Sequence, residues 1–506
     1  MATISSILPN NGVELTPVLI TGSGFNASTA VTFNGFTATR IKFLNPKTIW
    51  CYAPANTAGA VNVRVDNSNT MVFTYISTNP PTILTTDLSP TTGSPFSING
   101  IPGNNFNVLF INGATATIPA ASLTYTATTC TGKAPDPSGF NNGFCSYAYV
   151  YLVNKNDSYW CGGFQYGTKY TQEGSYNIPT DALTIDILAI GAGGGGGQNN
   201  HQGGNGGCVF TNIRASGNLH VSLSNSGGGG VVNNANIYCG GGGGSATIQN
   251  GDTYVVVAGG GGGAGFGYYG GNGCDSGGKA SGGSGTGSAN AGGGLGGNLG
   301  VGGGGGSANN VYSYKSFPGV NGFNGGGGAG CSADGSAAAG GGGGGSAGGG
   351  GGYSGAGGGG GAGYGGGGGG GSDNTVGGGG GAGGSYSSNT QTTYSSLLDF
   401  YATNNNTVLG GNYGFGGLTA DKSGFGQSGV VIIGVNKTSK PKPTPTTIIT
   451  PPSANTKKNT GLIWFFIISI ILIILLVVTW FVYKRYTSKK TLSFNMNRGI
   501  TYRIVR

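Results

Sequence analysis

The sequence predicts a mainly β protein that combines β-sandwiches, a glycine-rich domain and one transmembrane helix. Three observations predict this fold class. Residues 1–160 contain short runs of Val, Ile, Thr and Phe separated by Gly, Asn and Pro, a pattern typical of strands and turns. Of the 115 glycines, 88 fall within 191–390, where they disfavour α-helix. Residues 461–483 carry no charge and are long enough to cross a hydrocarbon core of about 30 Å as a helix.

An internal repeat organises the N-terminal region. Each copy has a Pro-x-x-Gly turn, a glycine that lets the chain bend at a strand end, a core phenylalanine and an Asn-Gly hairpin turn. The first copy contains Pro9, Gly12, Gly22, Phe25, Asn34 and Gly35, and the second contains Pro90, Gly93, Gly103, Phe106, Asn112 and Gly113. The repeat predicts two sandwich domains, at 1–80 and 81–160.

The first copy resembles the IPT/TIG family of immunoglobulin-like sandwiches. The residues that carry the resemblance are Pro9, Gly12, Gly22, Gly24, Phe25, Val31, Phe33, Ala53, Pro54 and Gly59. The second copy is more divergent, since Asn105 replaces Gly24 and an insertion lies between Cys130 and Cys145. The resemblance implies an adhesion or receptor ectodomain, or a neighbour of a DNA-binding domain. No basic, aromatic face accompanies it here, so we expect no nucleic-acid partner.

Residues 175–434 are predicted to form a glycine-rich β/polyglycine-II domain. Strands are expected at 183–190, 208–213, 219–223, 253–258 and 430–434, and two of them run directly into glycine runs. Two interpretations remain open for these runs. One is a flexible linker; the other is a bundle of three-residue-per-turn strands that hydrogen-bond to their neighbours, because only Gly permits such close approach. Interruptions by Tyr, Phe, Cys and Val favour the bundle.

The alternation of apolar strand and glycine run resembles the glycine-rich domain of anaplastic lymphoma kinase, and also glycine-rich tip adhesins of bacteriophages. The resemblance covers roughly 175–434 and implies a rigid recognition module. In the receptor case the partner is another protein. We expect contacts from backbone and aromatic groups such as Tyr268 and Tyr269, and not from charge.

The C-terminal part predicts a membrane anchor. A Pro/Thr-rich stalk at 435–460 precedes the helix at 461–483, whose partner is membrane lipid, and a basic tail follows at 484–506. The excess of Lys and Arg after the helix places the C-terminus in the cytoplasm and the N-terminus outside, at the plasma membrane. No signal peptide precedes Ala2. Three alternatives therefore stay open: an incomplete gene sequence, insertion as a virion membrane protein by another route, and a tail anchor with a cytosolic N-terminal part.

Cysteines and sequons fit an external location. All eight cysteines precede the predicted helix, which suggests disulfides, with Cys130 and Cys145 as the first candidate pair; buried free thiols are the alternative. Candidate N-glycosylation sites of a glycoprotein are Asn26, Asn156, Asn405 and Asn436.

The residues for catalysis are scarce. The chain has 2 His and 14 acidic residues, mostly in predicted turns, and lacks clustered metal ligands. A near P-loop at 273–279 is followed by Ala280 where a Ser or Thr is needed. We therefore predict no enzyme, no cofactor and no metal site. The predicted function is cell-surface adhesion or recognition of a protein or glycan ligand on another surface. A virion attachment protein and a structural glycine-rich surface protein are the alternatives.

Overall fold

The computed structural model describes 2–197, 201–224, 232–233, 236–237, 239–265, 267–274, 281–287, 295–297, 357–370, 377–395, 397, 413–417 and 424–437. None of these residues forms a helix that could span a bilayer. The predicted helix at 461–483, the tail at 484–506, most of the stalk and Asn405 lie outside the described residues.

The first sandwich contains nine strands around one apolar core. They are β1 (Thr3–Leu8), β2 (Asn11–Gly12), β3 (Pro17–Ser23), β4 (Val31–Phe33), β5 (Phe36–Thr37), β6 (Thr39–Asn45), β7 (Thr48–Tyr52), β8 (Gly59–Val65) and β9 (Thr70–Tyr75). One sheet has the order β1-β3-β7-β6, and the other contains β2-β9-β8-β4-β5. Alternate residues of β8 are buried, as expected for a strand with one face on a core.

The second sandwich repeats this strand order. Its elements are β10 (Thr82–Leu84), β11 (Pro95–Asn99), β12 (Asn107–Asn112), β13 (Ala114–Ile118), β14 (Thr124–Tyr125), β15 (Thr129–Lys133), β16 (Tyr147–Val153) and β17 (Ser158–Gln165), with 3-10 helices η1 (Ala120–Ser122), η2 (Pro137–Gly139) and η3 (Gly143–Cys145). One sheet runs β10-β11-β15-β14. The other, β13-β12-β16-β17, joins the first sandwich through a parallel pairing of β17 with β2. Its last strand extends beyond the predicted boundary at 160.

The structure explains the sequence difference between the two repeats. Asn105 and Gly24 both have a φ of 73°, so the second copy keeps the left-handed turn with a residue type that tolerates it. Both phenylalanines are core residues, since Phe25 and Phe106 are each 4% exposed.

The structure confirms the predicted hairpin turns and shows which of the two strand-end glycines is required. The Asn-Gly hairpins are confirmed: Asn34 and Gly35 connect β4 to β5, and Gly113 lies between β12 and β13. Gly103 lies at the predicted bend between β11 and β12, but this bend does not require glycine. A Cβ at Gly103 would meet nothing within 4 Å, and its φ is not positive. A Cβ at Gly22, in contrast, would lie 1.9 Å from the carbonyl oxygen of Thr3.

Aromatic side chains of β7 and β16 lie near one another at the boundary between the two sandwiches. Trp50 and Tyr52 of β7 form an edge-to-face pair with ring centroids 4.4 Å apart. Burial is the main cause that raises the pKa of Tyr147 on β16, and the neighbouring Tyr52 raises it further. Burial is also the main cause that raises the pKa of Tyr149, to which Tyr151 and Tyr52 add. Trp50 and Tyr149 are 2% and 5% exposed, so both of these large rings are removed from water.

The glycine-rich domain is built on a third pair of sheets. Its strands are β18 (Thr168–Tyr170), β19 (Gly174–Asn177), β20 (Thr184–Ile190), β21 (Cys208–Ile213), β22 (Asn218–Leu223), β23 (Val232–Asn233), β24 (Asn236–Ile237), β25 (Ala246–Asn250), β26 (Thr253–Ala258), β27 (Tyr386–Ser387), β28 (Thr392–Ser395) and β29 (Val430–Asn436). Two five-stranded sheets, β18-β29-β20-β21-β28 and β19-β22-β25-β26-β27, form the third sandwich, and β23 pairs with β24 in a separate two-stranded sheet. The five predicted strands are present, and two, β21 and β26, have the predicted bounds.

Strand β20 is apolar on both faces because both faces are covered. Ile185, Ile187 and Ala189 belong to the core between the two sheets. Leu188 and Ile190 lie on the other face, in a cluster that contains Cys145 of the second sandwich. The second sandwich therefore packs on the outer face of the glycine-rich domain.

The connection between these two domains has almost no linker. Only Tyr166 and Gly167 separate β17 from β18, which pairs with β29. The backbone N–H of Phe144 donates a 2.8 Å hydrogen bond to Oδ2 of Asp186. A Cβ at Gly434 would lie 1.9 Å from the carbonyl oxygen of Phe144, so the two backbones are in direct contact.

The glycine runs form a bundle that continues the strands of the third sandwich. Segment 259–265, which follows β26, lies at its centre. Its N–H groups donate to three neighbouring segments, and the partner changes in a three-residue cycle. The pairs are Gly260 with Ala362, Gly263 with Gly359, Gly261 with Ala192, Ala264 with Gly195, Gly262 with Gly271, and Gly265 with Tyr268. This period is that of a three-residue-per-turn helix, which makes no internal hydrogen bonds.

The same central segment accepts hydrogen bonds from three further segments. The donors are Gly204, Gly207, Gly240, Gly243, Gly380 and Gly383. The central segment thus has six neighbours, and no glycine in it has a positive φ. A Cβ at Gly261 would lie 1.9 Å from the carbonyl oxygen of Gly204, a distance that no side chain permits. These contacts agree with the packed polyglycine arrangement, and disagree with a flexible linker at these residues.

Candidate functional site

The turns at the far end of the bundle form the candidate site. Segment 191–197 leaves the sandwich after β20, and Gly197 N–H donates to the carbonyl of His201. Segment 259–265 leaves after β26, and Gly265 N–H donates to the carbonyl of Tyr268. His201 and Tyr268 are therefore at the end of the bundle away from the sandwich. We call the residues His201, Tyr268, Tyr269 and Thr286 the bundle tip.

The bundle tip carries an exposed aromatic ring in a fixed position. Tyr269 is 51% exposed, and its ring lies edge-to-face with the imidazole of His201 at a centroid distance of 5.0 Å. The backbone N–H of Tyr269 donates to Oγ1 of Thr286 at 2.8 Å, and the N–H of Thr286 donates to the Tyr269 carbonyl at 3.0 Å. The ring is thus anchored through its backbone on both sides.

The bundle behind the tip gives this backbone little room to move. Gly379 N–H donates to the carbonyl of Thr286 at 2.8 Å. A Cβ at Gly379 would lie 1.9 Å from the Tyr269 carbonyl oxygen. The tip can therefore offer aromatic, imidazole and hydroxyl groups without first ordering its main chain, which lowers the entropic cost of binding. The sequence pointed to Tyr268 and Tyr269, but gave no signal for His201 or Thr286.

Two of the grooves on the described surface lie away from the bundle tip, in the second sandwich and in the glycine-rich domain. One, of about 750 Å³, is mainly apolar and is lined by Leu84, Phe96, Ile118 and Gly132 of the second sandwich. The other, of about 820 Å³, is polar and lies at the end of the third sandwich, with Asn212, Arg214 and Asn389 in its wall. Within the described part of the chain, no three His, Cys, Asp or Glu residues lie together as a metal site would require.

The candidate disulfide between Cys130 and Cys145 is not present. Cys130 belongs to the core of the second sandwich, whereas Cys145 lies in the contact with the glycine-rich domain. The Cys145 thiol instead donates to the carbonyls of Asp186 at 3.0 Å and Ile432 at 3.3 Å. Burial raises the pKa of Cys145, and the charge of Asp186 raises it further. Burial also raises the pKa of Cys130, to about 11. Both are buried free thiols in this structure.

The candidate glycosylation sites differ in exposure. Asn26 and Asn156 are exposed at turns. Asn436 is 4% exposed and pairs with Thr184 as the last residue of β29. As folded, only the first two offer a side chain to a modifying enzyme among the described sequons.

Comparison with known proteins identifies one domain. Residues 2–84 match the IPT/TIG domain family, so the N-terminal sandwich is an IPT/TIG domain. The comparison with curated proteins gives no match.

Several solved structures are similar in part. They include the surface glycan-binding protein PbSGBP-B of Prevotella bryantii, with 9% identity, a TM-score of 0.13, and coverage of 41% of this chain and 69% of that chain. SGBP-B of Bacteroides uniformis has 12% identity, a TM-score of 0.15, and coverage of 42% and 81%. SGBP-B of Bacteroides ovatus, in complex with a mixed-linkage heptasaccharide, has 12% identity, a TM-score of 0.16, and coverage of 43% and 66%. TM-scores this low carry no argument about function.

Proposed function

We propose that this chain is a non-enzymatic surface protein that recognises a protein or glycan on another surface through the bundle tip. The two sandwiches and the glycine-rich domain, which ends with β29 at Asn436, form the head, and the remainder of the predicted stalk at 435–460 carries it. The helix at 461–483 anchors the head in a lipid membrane with the N-terminus outside. Cell adhesion at the plasma membrane is the role that this organisation supports, with a virion membrane as the alternative location.

The exposed ring of Tyr269 is the observation on which the proposal rests. A half-exposed tyrosine on a backbone with hydrogen bonds to Thr286 offers a large contact area at low entropic cost. Its neighbour His201 adds a second ring beside it, at 5.0 Å between centroids. Tyrosine is one of the residue types in which the few side chains that dominate the binding energy of an interface are enriched.

The attachment of the bundle to the sandwiches supports the same role. The hydrogen bond between Phe144 and Asp186 joins the second sandwich to the glycine-rich domain, and the pairing of β17 with β2 joins the two sandwiches. A contact made by the tip is therefore transmitted to the rest of the head. The similarity of 175–434 to the glycine-rich domain of anaplastic lymphoma kinase agrees with a recognition module, and stays an interpretation.

The experiment compares the full-length chain with three variants in lipid vesicles. Binding of the vesicles is measured to an array of immobilised glycans and to cultured cells. We expect Tyr269→Ala and His201→Ala each to weaken the strongest binding by about tenfold or more. Phe36→Ala is the matched control, because Phe36 is a 56% exposed aromatic on the first sandwich. Equal binding by all four proteins would refute the role of the tip.

A further inference from the structure

The polar groove at the end of the third sandwich lies opposite the bundle. Strands β20 and β26 lead into the bundle at Ile190 and Ala258, whereas the groove is lined by their first residues, Thr184 and Thr253. The loop that follows β21 contributes Arg214 to the wall. The groove is thus a separate surface, formed by loops at the other end of the domain.

Several polar groups in this groove have no protein partner. Arg214 makes no hydrogen bond, ion pair or ring contact with any residue that the structure describes. The hydroxyls of Ser216, Thr253 and Ser388 likewise make no hydrogen bond to the described residues. All four side chains are exposed to solvent, and together they supply one positive charge and three groups that can donate or accept hydrogen bonds.

Other residues hold the wall of the groove in place. The side-chain amide of Asn389 donates to the carbonyl of Asn212. The amide of Asn212 donates in turn to Oγ1 of Thr184 at 3.2 Å and to Oδ1 of Asp186. Val255, which is 6% exposed, provides an apolar floor. The wall is therefore ordered before any ligand arrives.

The positive charge of Arg214 favours an anionic ligand in the groove. None of the residues that line it is acidic, so the Arg214 guanidinium faces no carboxylate of the described chain. A guanidinium binds a carboxylate through two parallel hydrogen bonds, which it cannot make with a neutral hydroxyl. The volume of about 820 Å³ falls in the range of small-molecule sites.

From this arrangement we infer that the groove binds an acidic saccharide, whose carboxylate pairs with Arg214 and whose hydroxyls meet Ser216, Thr253 and Ser388. The C–H face of the sugar ring packs on Val255. The site is independent of the bundle tip, because the two lie at opposite ends of the domain.

Calorimetric titration of the full-length chain in detergent micelles tests this inference, with glucuronic acid as the probe. We expect saturable binding of glucuronic acid and at least tenfold weaker binding of glucose. Arg214→Ala should weaken glucuronic acid binding by about tenfold to a hundredfold, and Arg214→Lys by less. Arg64→Ala is the matched control, because Arg64 is an exposed arginine on β8 of the first sandwich.

The outcomes separate this inference from the proposed function. Tyr269→Ala should leave glucuronic acid binding unchanged, so a failure of the tip does not affect the result. If Arg214→Ala binds glucuronic acid as the parent does, or if no titration is seen, the inference is wrong. Competition by inorganic phosphate at equal concentration would overturn the saccharide assignment, because it would define a general anion site. Circular dichroism of each variant verifies that it is folded.

Discussion

The carboxylate of Asp186 accepts a hydrogen bond from the backbone N–H of Phe144, at 2.8 Å, across the boundary between the second sandwich and the glycine-rich domain. Asp186 is 6% exposed, and its other oxygen accepts from the amide of Asn212. One buried side chain thus joins the domain boundary to the wall of the polar groove.

Replacement of this carboxylate should weaken the boundary. Asp186→Asn turns one acceptor into a donor that faces the N–H groups of its partners. Because an unpaired buried donor costs about 1–3 kcal/mol, we expect the free energy of unfolding to fall by that amount. Asp252→Asn, at an exposed hairpin residue, should change it by less than about 0.5 kcal/mol. Denaturant unfolding measures both, and similar values for the two variants would contradict the assigned role.

Alanine within the bundle should be severely destabilising. A Cβ at Gly204 would lie 1.8 Å from the carbonyl oxygen of Gly271. We expect Gly204→Ala to lower the free energy of unfolding by about 3 kcal/mol or more, because overpacking forces the backbone to shift. Gly103→Ala is the control, since a Cβ there meets nothing within 4 Å. If thermal unfolding finds Gly204→Ala as stable as the control, the bundle packing is wrong.

Hydrogen exchange should report the bundle directly. The N–H groups of 260–265 all donate to other segments, so we expect them to exchange about as slowly as those of β20. Exchange at the rate of an unstructured peptide would contradict the bundle and would show that these residues form a flexible linker. Mass spectrometry of peptic fragments gives the required resolution, and residues of the exposed Asn34-Gly35 turn provide a fast-exchanging reference within the same sample.

Burial of the thiols predicts a loss of stability at high pH. The pKa of Cys130 is raised from an ordinary 9.0 to about 11, because burial disfavours the thiolate. As the pH rises, the Cys130 thiol therefore loses its proton in the unfolded chain before it does so in the folded chain. Cys130 therefore makes its full contribution to the free energy of unfolding below about pH 9, and this contribution is lost as the pH rises towards 11. Cys130→Ala should remove this part of the pH dependence of unfolding, whereas an unchanged pH profile would contradict it.

The exposure of the sequons predicts which ones carry a glycan if the head enters the secretory pathway. We expect Asn26→Gln and Asn156→Gln each to increase electrophoretic mobility by one glycan, while Asn436→Gln leaves it unchanged, because Asn436 is buried in β29. The shift must disappear on treatment with a glycosidase. Absence of any glycan in the parent chain would instead favour the cytosolic or virion alternative.

Much of the strand content could be predicted from the sequence, because local patterns determine it. The bounds of β21 and β26 follow from apolar runs that end at glycine, and the turn at Gly24 could be matched to Asn105 by repeat spacing. The bundle tip could not be predicted. His201 and Tyr269 become neighbours only through the register of two glycine segments, and a run of identical residues carries no side-chain signal for register.

The disulfide prediction failed for a related reason. Cys130 and Cys145 are close in the sequence, but η2 and η3 carry Cys145 out of the sandwich core to the carbonyls of Asp186 and Ile432. The contact depends on strand β29, which is far away along the chain. Spacing alone cannot reveal such a partner.

The three-residue cycle of hydrogen bonds around 259–265 also limits how the gene can change. Deletion of one glycine rotates every later peptide unit by a third of a turn, so each N–H then points at the wrong neighbour. Loss or gain of three residues restores the original orientation. We therefore expect natural length variants of these segments to differ by three, six or nine residues, even though every residue involved is glycine or alanine.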